Sequence, residues 1–155
     1  QKGDNRRVIE VCGGSGVVAA AMKKLLECQW LSCDIEPDFR FFPAMVKSDG
    51  VAFIKEFKIN PDTDYLFIGY PPAAPNPLAY ELVQQWKKSN GRHIFIGAHP
   101  LACGDSQFWS FLTLNANLVK LCSQIAPFFM DGMSNVELLD QFLFHFEISA
   151  CGPAV

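Results

Sequence analysis

The sequence holds no apolar run approaching the roughly 18–20 residues that a bilayer-spanning helix needs, which excludes such a helix among these 155 residues. Its polar start, QKGDNRR, has neither an initiator Met nor an apolar signal region. That is the expected beginning of a domain excised or processed from a longer chain, so flanking elements can be missing. Six cysteines are present (Cys12, Cys28, Cys33, Cys103, Cys122 and Cys151), yet there is no CxxC pair and no Cys/His ladder of zinc spacing. Several lie within apolar runs, where a free thiol acts as a small hydrophobe. Reduced thiols, an intracellular setting (cytoplasmic or nuclear) and no metal site are the expectations. Positive charge is not in excess: 13 Lys and Arg face 16 Asp and Glu, for a net charge of −3. A general attraction to nucleic acid is therefore not encoded, although a local basic patch or a basic partner domain stays compatible. Repeats, low-complexity tracts and linkers are also lacking, and one domain over 1–155 is expected.

Half of the residues are hydrophobic and 19% are charged, enough for one well-buried core. Along the chain, short apolar strands alternate with helical segments. RRVIEVC, WLSCDI (30–35), AMVKSDG (44–50), DYLFIGY (64–70) and RHIFIGAH (92–99) read as strands. Residues 15–28, VAFIKEFKI, PLAYELVQQWKKSNG and SQFWSFLTLNA read as helices, with a proline near the start of the third and Gly91 at its end. This alternation predicts an α/β fold, a three-layer Rossmann-like sheet, mostly parallel, with helices on both faces. The last two β-rich runs, 118–129 and 137–148, are joined by MDGMSNV with no crossover helix. A C-terminal antiparallel hairpin is expected there.

The stretch VIEVCGGSGVV carries the first chemistry. Gly14, Gly16 and Ala19 satisfy the glycine pattern of a dinucleotide turn, and Asp34 stands about 20 residues on, at the end of strand two. A carboxylate there can accept both ribose hydroxyls of any adenosine cofactor, so these residues point to adenosine binding without naming the ligand. Glu10 discriminates. Just before the turn, its carboxylate would repel a pyrophosphate but favour a ligand carrying an ammonium and a sulfonium, directly or through water. The bland alternative is a Glu10 that caps a turn or pairs with Arg7.

Taken in order, these segments resemble the class I S-adenosylmethionine-dependent methyltransferases over nearly the whole chain. EVCGGSG is similar to the family's first motif, with Gly14 and Gly16 in the second and third glycine places, Gly13 between, and Cys12 where the first glycine is usual. CDIEP resembles the strand-two motif, which puts Asp34 at the ribose and Ile35 beside the adenine. KSDG is similar to the strand-three motif, where Asp49 and Gly50 match the adenine edge. The resemblance adds Gly69, at the end of strand four, to the cofactor set, and the closing hairpin looks like the family's reversed last strand. S-adenosyl-L-methionine is the implied cofactor.

The turn after strand four, GYPPAAPNP, is the expected acceptor side. Tyr70, Pro71, Pro72 and Ala73 are similar to the D/N/S-P-P-Y/F motif of amine methyltransferases. The prolines match, and they should leave carbonyls available to an amino group. Tyr70 replaces the polar residue and Ala73 the aromatic one. His99, at the end of strand five, is a candidate base for an acceptor proton. These features imply a planar amine or nucleic-acid acceptor, its identity (nucleic acid, protein or small molecule) left open. A catalytically inactive scaffold subunit is the alternative, with a partner subunit or an additional N-terminal domain; a nicotinamide-dependent oxidoreductase rests on the glycines and Asp34 alone. His93, His145, Trp86 and Trp109 read as packing residues, and Asp105 as a helix cap.

Overall fold

Alternation of apolar and polar residues sets the strands, and 3.6-residue periodicity sets the helices between them. The computed structural model describes residues 5–99, 102–123 and 142–149, with 122, 123 and 142 by backbone alone. In chain order it contains β1 (Arg7–Val11), α1 (Val17–Leu25), β2 (Gln29–Asp34), β3 (Val46–Lys47), α2 (Gly50–Lys55) and β4 (Asp64–Gly69). There follow α3 (Leu78–Lys88), β5 (His93–Ala98), α4 (Ser106–Asn115), β6 (Ala116–Ser123) and β7 (Phe142–Ile148). The sheet runs β3-β2-β1-β4-β5-β7-β6. Its first five strands pair in parallel, while β7 is antiparallel to both β5 and β6. The expected Rossmann-like sheet with a reversed C-terminal pair is thus present; the connecting segment MDGMSNV lies outside the described residues.

Two apolar clusters flank the sheet. Ile9, Val11, Leu66, Ile68, Ile94 and Ile96 point to one side and meet Ile54 of α2, Leu82 and Trp86 of α3, and Phe108 and Leu112 of α4. Each large side chain sealed there contributes roughly 1.5–3 kcal/mol. Val8 and Trp30 point to the other side and meet Ala19, Val18 and Met22 of α1, with Phe42 and Met45 from the segment after β2. At the amino ends of β1 and β4, Arg7 and the buried Asp64 form an ion pair, and Asp64 also accepts from the Asn60 amide at 2.8 Å.

Three expected boundaries move, each for a local reason. Helix α1 starts at Val17 rather than at 15, because Gly16 (φ 76°) is left-handed and serves as the cap. The third strand shrinks to two residues because Asp49 turns away and caps α2, accepting from the Ala52 amide at 2.9 Å. Helix α3 ends at Lys88 with Ser89 as its cap, and the left-handed residue that follows is Asn90 (φ 65°), not Gly91. Gly91 is needed for space instead: a Cβ there would stand 2.2 Å from the Trp86 ring.

Candidate functional site

Strand order reverses between β1 and β4: the chain moves outward through β2 and β3, then returns to β4 and β5. The crevice beyond the carboxyl ends at this switch point is where open α/β sheets bind ligands. Two non-glycine residues with left-handed backbones stand side by side there, Cys12 (φ 60°) after β1 and Tyr70 (φ 47°) after β4. Such conformations cost of order 1–3 kcal/mol each and gather at ligand sites.

The loop after β1 is built around Asp34. One carboxylate oxygen accepts from the Gly14 amide and the other from the Glu36 amide, both at 2.9 Å. Each oxygen keeps a lone pair for a further donor. Gly14 (φ 54°) would carry a Cβ into open space, with nothing within 4 Å. At Gly13 and Gly16, by contrast, a Cβ would fall 2.4 Å from Ser32 Oγ and 2.5 Å from Phe42 Cβ. Gly13 therefore lets the loop close down on β2, Gly16 admits the segment that carries Phe42, and Gly14 faces open space. Ile35, beside Asp34, is 66% exposed and presents an apolar surface at the same mouth.

Glu10 is buried near the end of β1, just before the turn. Only 1% exposed, it lies under the loop, where its Oε2 accepts from the Trp30 indole N–H at 3.0 Å. Pairing with Arg7 does not occur, since Arg7 is held by Asp64. Burial raises its pKa, opposed by the neighbouring Ser32 and Trp30 donors. Burial likewise pushes the Cys12 thiol up to about 12, keeping it protonated. Cys12, Cys33 and Cys103 form no disulfide.

Asp49 reaches the mouth of β3 but uses one oxygen to cap α2. Gly50 packs closely against α3: a Cβ there would meet the Leu82 side chain at 2.9 Å. Gly69 backs onto the loop, its Cβ position 3.3 Å from the Cys12 carbonyl.

On the acceptor side, the Tyr70 amide donates to the Gly97 carbonyl at 2.7 Å, pinning the turn to β5. Burial raises the pKa of the Tyr70 hydroxyl, which is protonated at neutral pH. Pro71 is buried, and the Pro72 carbonyl, expected to be available, accepts from the Gly104 amide at 3.0 Å. The His99 carbonyl accepts from the Ala102 and Cys103 amides, placing His99 at the same rim at the end of β5. The expected packing roles hold for Trp86, fully buried, and for Trp109, whose indole donates to the Cys103 carbonyl at 2.9 Å. Asp105 caps α4 through the Phe108 amide.

Sequence reasoning did not single out Trp30 and Ser32, the buried neighbours of Glu10. Their spacing, Trp30-x-Ser32-x-Asp34, placed all three on one face of β2.

No protein-family model and no curated protein matches the chain. Solved structures do match in fold. TrmK from M. capricolum, in complex with the natural cofactor product S-adenosylhomocysteine, aligns with a TM-score of 0.59 at 10% identity. That alignment covers 94% of this chain but only 63% of the TrmK chain. A SAM-dependent methyltransferase from Archaeoglobus fulgidus aligns at 0.56 and 14% identity, over 94% of this chain and 87% of the other. The fibrillarin/Nop5p complex aligns at 0.61 and 13% identity, over 96% and 75%. The fold is that of the class I S-adenosylmethionine-dependent methyltransferases.

Proposed function

We propose that the chain is an S-adenosylmethionine-dependent methyltransferase domain acting on a planar amine. The observation that carries this is the Asp34 carboxylate, pinned between the Gly14 and Glu36 amides beside the open space over Gly14, at the switch point of this fold. In this reading Asp34 holds the ribose hydroxyls, Ile35 and Asp49 flank the adenine, and the Gly13–Gly14 backbone approaches the amino-acid end. Cys12 and Gly69 shape the wall, and Glu10 supports the loop from beneath. S-adenosylmethionine, held by Asp34, Asp49 and the Gly13–Gly14 backbone, would supply an electrophilic methyl group on a sulfonium to the lone pair of an acceptor nitrogen.

The chain's own contribution is position. Tyr70, Pro71 and Pro72 form a rigid rim that orients the acceptor, and His99 takes the proton that an N–H acceptor loses. Nucleic acid fits as the acceptor's source if a partner or a further domain supplies positive charge, since this chain carries a net charge of −3. A non-catalytic subunit is the second reading, favoured by the occupied Pro72 carbonyl and the small Ala73.

Calorimetric titration with S-adenosylhomocysteine, paired with NADH, tests the proposal. The expected result is binding of the first alone. Asp34→Ala should weaken that binding by about 1.5–3 kcal/mol, the value of hydrogen bonds to a charged group. Binding of NADH alone, or full affinity in Asp34→Ala, would overturn it.

A further inference from the structure

His93 of β5 and His145 of β7 lie 52 residues apart in sequence, so no spacing motif announces them. The antiparallel register of β5 with β7 sets His93 opposite Glu147 and His145 opposite Phe95. The two histidines are therefore diagonal neighbours on adjacent strands, within reach of each other's side chains. Their ring nitrogens meet: His93 Nδ1 stands 3.3 Å from His145 Nε2. The pair has no part in the candidate site, since His93 opens β5 at its amino end while Asp34 ends β2 at the carboxyl side.

One proton between two neutral rings holds nitrogens at this distance, and so does a metal ion. The distance discriminates among ions. Zinc bound to imidazole at about 2.0–2.1 Å with tetrahedral angles holds two ligand nitrogens about 3.3–3.4 Å apart. A square-planar ion, the preference of copper(II), draws neighbouring nitrogens to about 2.9 Å. The observed spacing is the tetrahedral one. Both rings are also held in place beforehand. His145 lies flat against Phe95, with centroids 4.3 Å apart and planes 11° from parallel, and His93 stacks on Tyr65 at 5.2 Å. Ligands oriented by packing lose little freedom on binding. Glu147 adds negative charge nearby, although Arg92 holds its carboxylate at 2.6 Å. Among the described residues no third imidazole, carboxylate or thiol completes a ligand set. Two tetrahedral positions are left to water, so binding is weak and exchangeable beside that of a four-ligand structural site.

We propose that His93 Nδ1 and His145 Nε2 form a two-imidazole site for an exchangeable divalent cation of the zinc class. The ion takes the lone pairs of both nitrogens. The proton that one of them carries in the metal-free pair moves to the outer nitrogen of its own ring, so each imidazole stays neutral. Oxygen-seeking cations such as magnesium gain little from imidazole nitrogen and are not retained. The bound ion ties β5 to β7 across the reversed strand pair and stabilises the folded state by mass action. The site stands apart from the methyltransferase reading, and neither depends on the other.

The test titrates the full chain, kept reduced at neutral pH, with zinc chloride and in parallel with magnesium chloride. Imidazole proton resonances and the urea unfolding midpoint are followed. Zinc, and not magnesium, should shift or broaden the His93 and His145 ring signals and raise the midpoint. His145→Phe, which keeps a flat ring against Phe95, should lose about tenfold or more in zinc affinity, the least that losing even a ligand's hydrogen-bond partner costs. His93→Phe should lose as much. Should either variant fail to fold, the ring signals of the parent still decide, because they need no substitution. Zinc that leaves both rings unshifted, or an equal response to magnesium, would overturn the proposal. Undiminished zinc affinity in both variants would overturn it too, and would assign the ion to the cysteines instead.

Discussion

The two faces of the sheet are finished differently. Under α2, α3 and α4, the strands present Leu66, Ile68, Ile94 and Ile96 at 0% exposure, against Leu82, Trp86 and Phe108, also at 0%. On the other face, α1 covers β1 and β2, while Tyr65, Phe67, His93, Phe95 and His145 remain half-buried. Four of these rings touch one another, in a chain from Tyr65 through His93 and Phe95 to His145, while Phe67 meets the Trp30 ring instead. The same strands therefore serve two purposes. Their even residues close a core, and their odd residues form a surface that stays available. The difference teaches that the same five or six residues per strand seal one side of the sheet and leave the other half-covered.

The sharpest way to break this comparison is to remove one aromatic ring from each face. Trp86→Ala empties the sealed side, where large-to-small changes typically cost about 3–5 kcal/mol. Urea unfolding followed by far-UV circular dichroism should show a correspondingly large drop in midpoint. Phe67→Ala on the open face should cost less, about 1–2 kcal/mol, because its ring is only half-removed from water. Equal losses would mean that the open face is covered in solution, and would end the contrast between the two sides.

Most of this architecture was legible in the sequence, and the parts that were not share a cause. Strand alternation gave the sheet order's ingredients, and the absence of a helix between the last two apolar runs gave the reversal of β7. Gly14, Gly16 and Asp34 found one another at 20-residue spacing, since both sit at carboxyl ends of neighbouring parallel strands. The fate of Glu10 was not legible. A carboxylate just before a glycine turn reads the same whether it faces a ligand or the Trp30 indole, and only the pairing of β1 with β2 decides. Gly50 shows the same limit: its glycine answers to Leu82, some thirty residues away in sequence. The open face did leave a trace, because LFIGY (66–70) and IFIGA (94–98) repeat Phe-Ile-Gly at corresponding positions. Register pairing of β4 with β5 turns that repeat into a shelf.

The smallest effect separates the faces by pH. His93 Nδ1 lies 3.3 Å from His145 Nε2, and Glu147, Arg92 and Asp62 act on the pair from its margins. Burial is the main cause that lowers both imidazole pKa values below 6.5. The neutral forms are thus favoured in the fold, while the unfolded chain takes up protons at its ordinary pKa. As pH falls from 6.5 toward the lowered values, the unfolded state binds more protons, and stability must decline; above 6.5 neither state is protonated and the term vanishes. His145→Phe keeps a flat ring against Phe95, stacked now at 4.3 Å between centroids, and removes one of the two titrations. The stability loss on acidification should become shallower in this variant, measured as the urea midpoint against pH. Trp86→Phe, on the sealed face, should leave that slope unchanged, because no titrating group is altered. A slope equally steep in His145→Phe would assign the acid sensitivity elsewhere, and would remove the open face from any account of how pH acts on this fold.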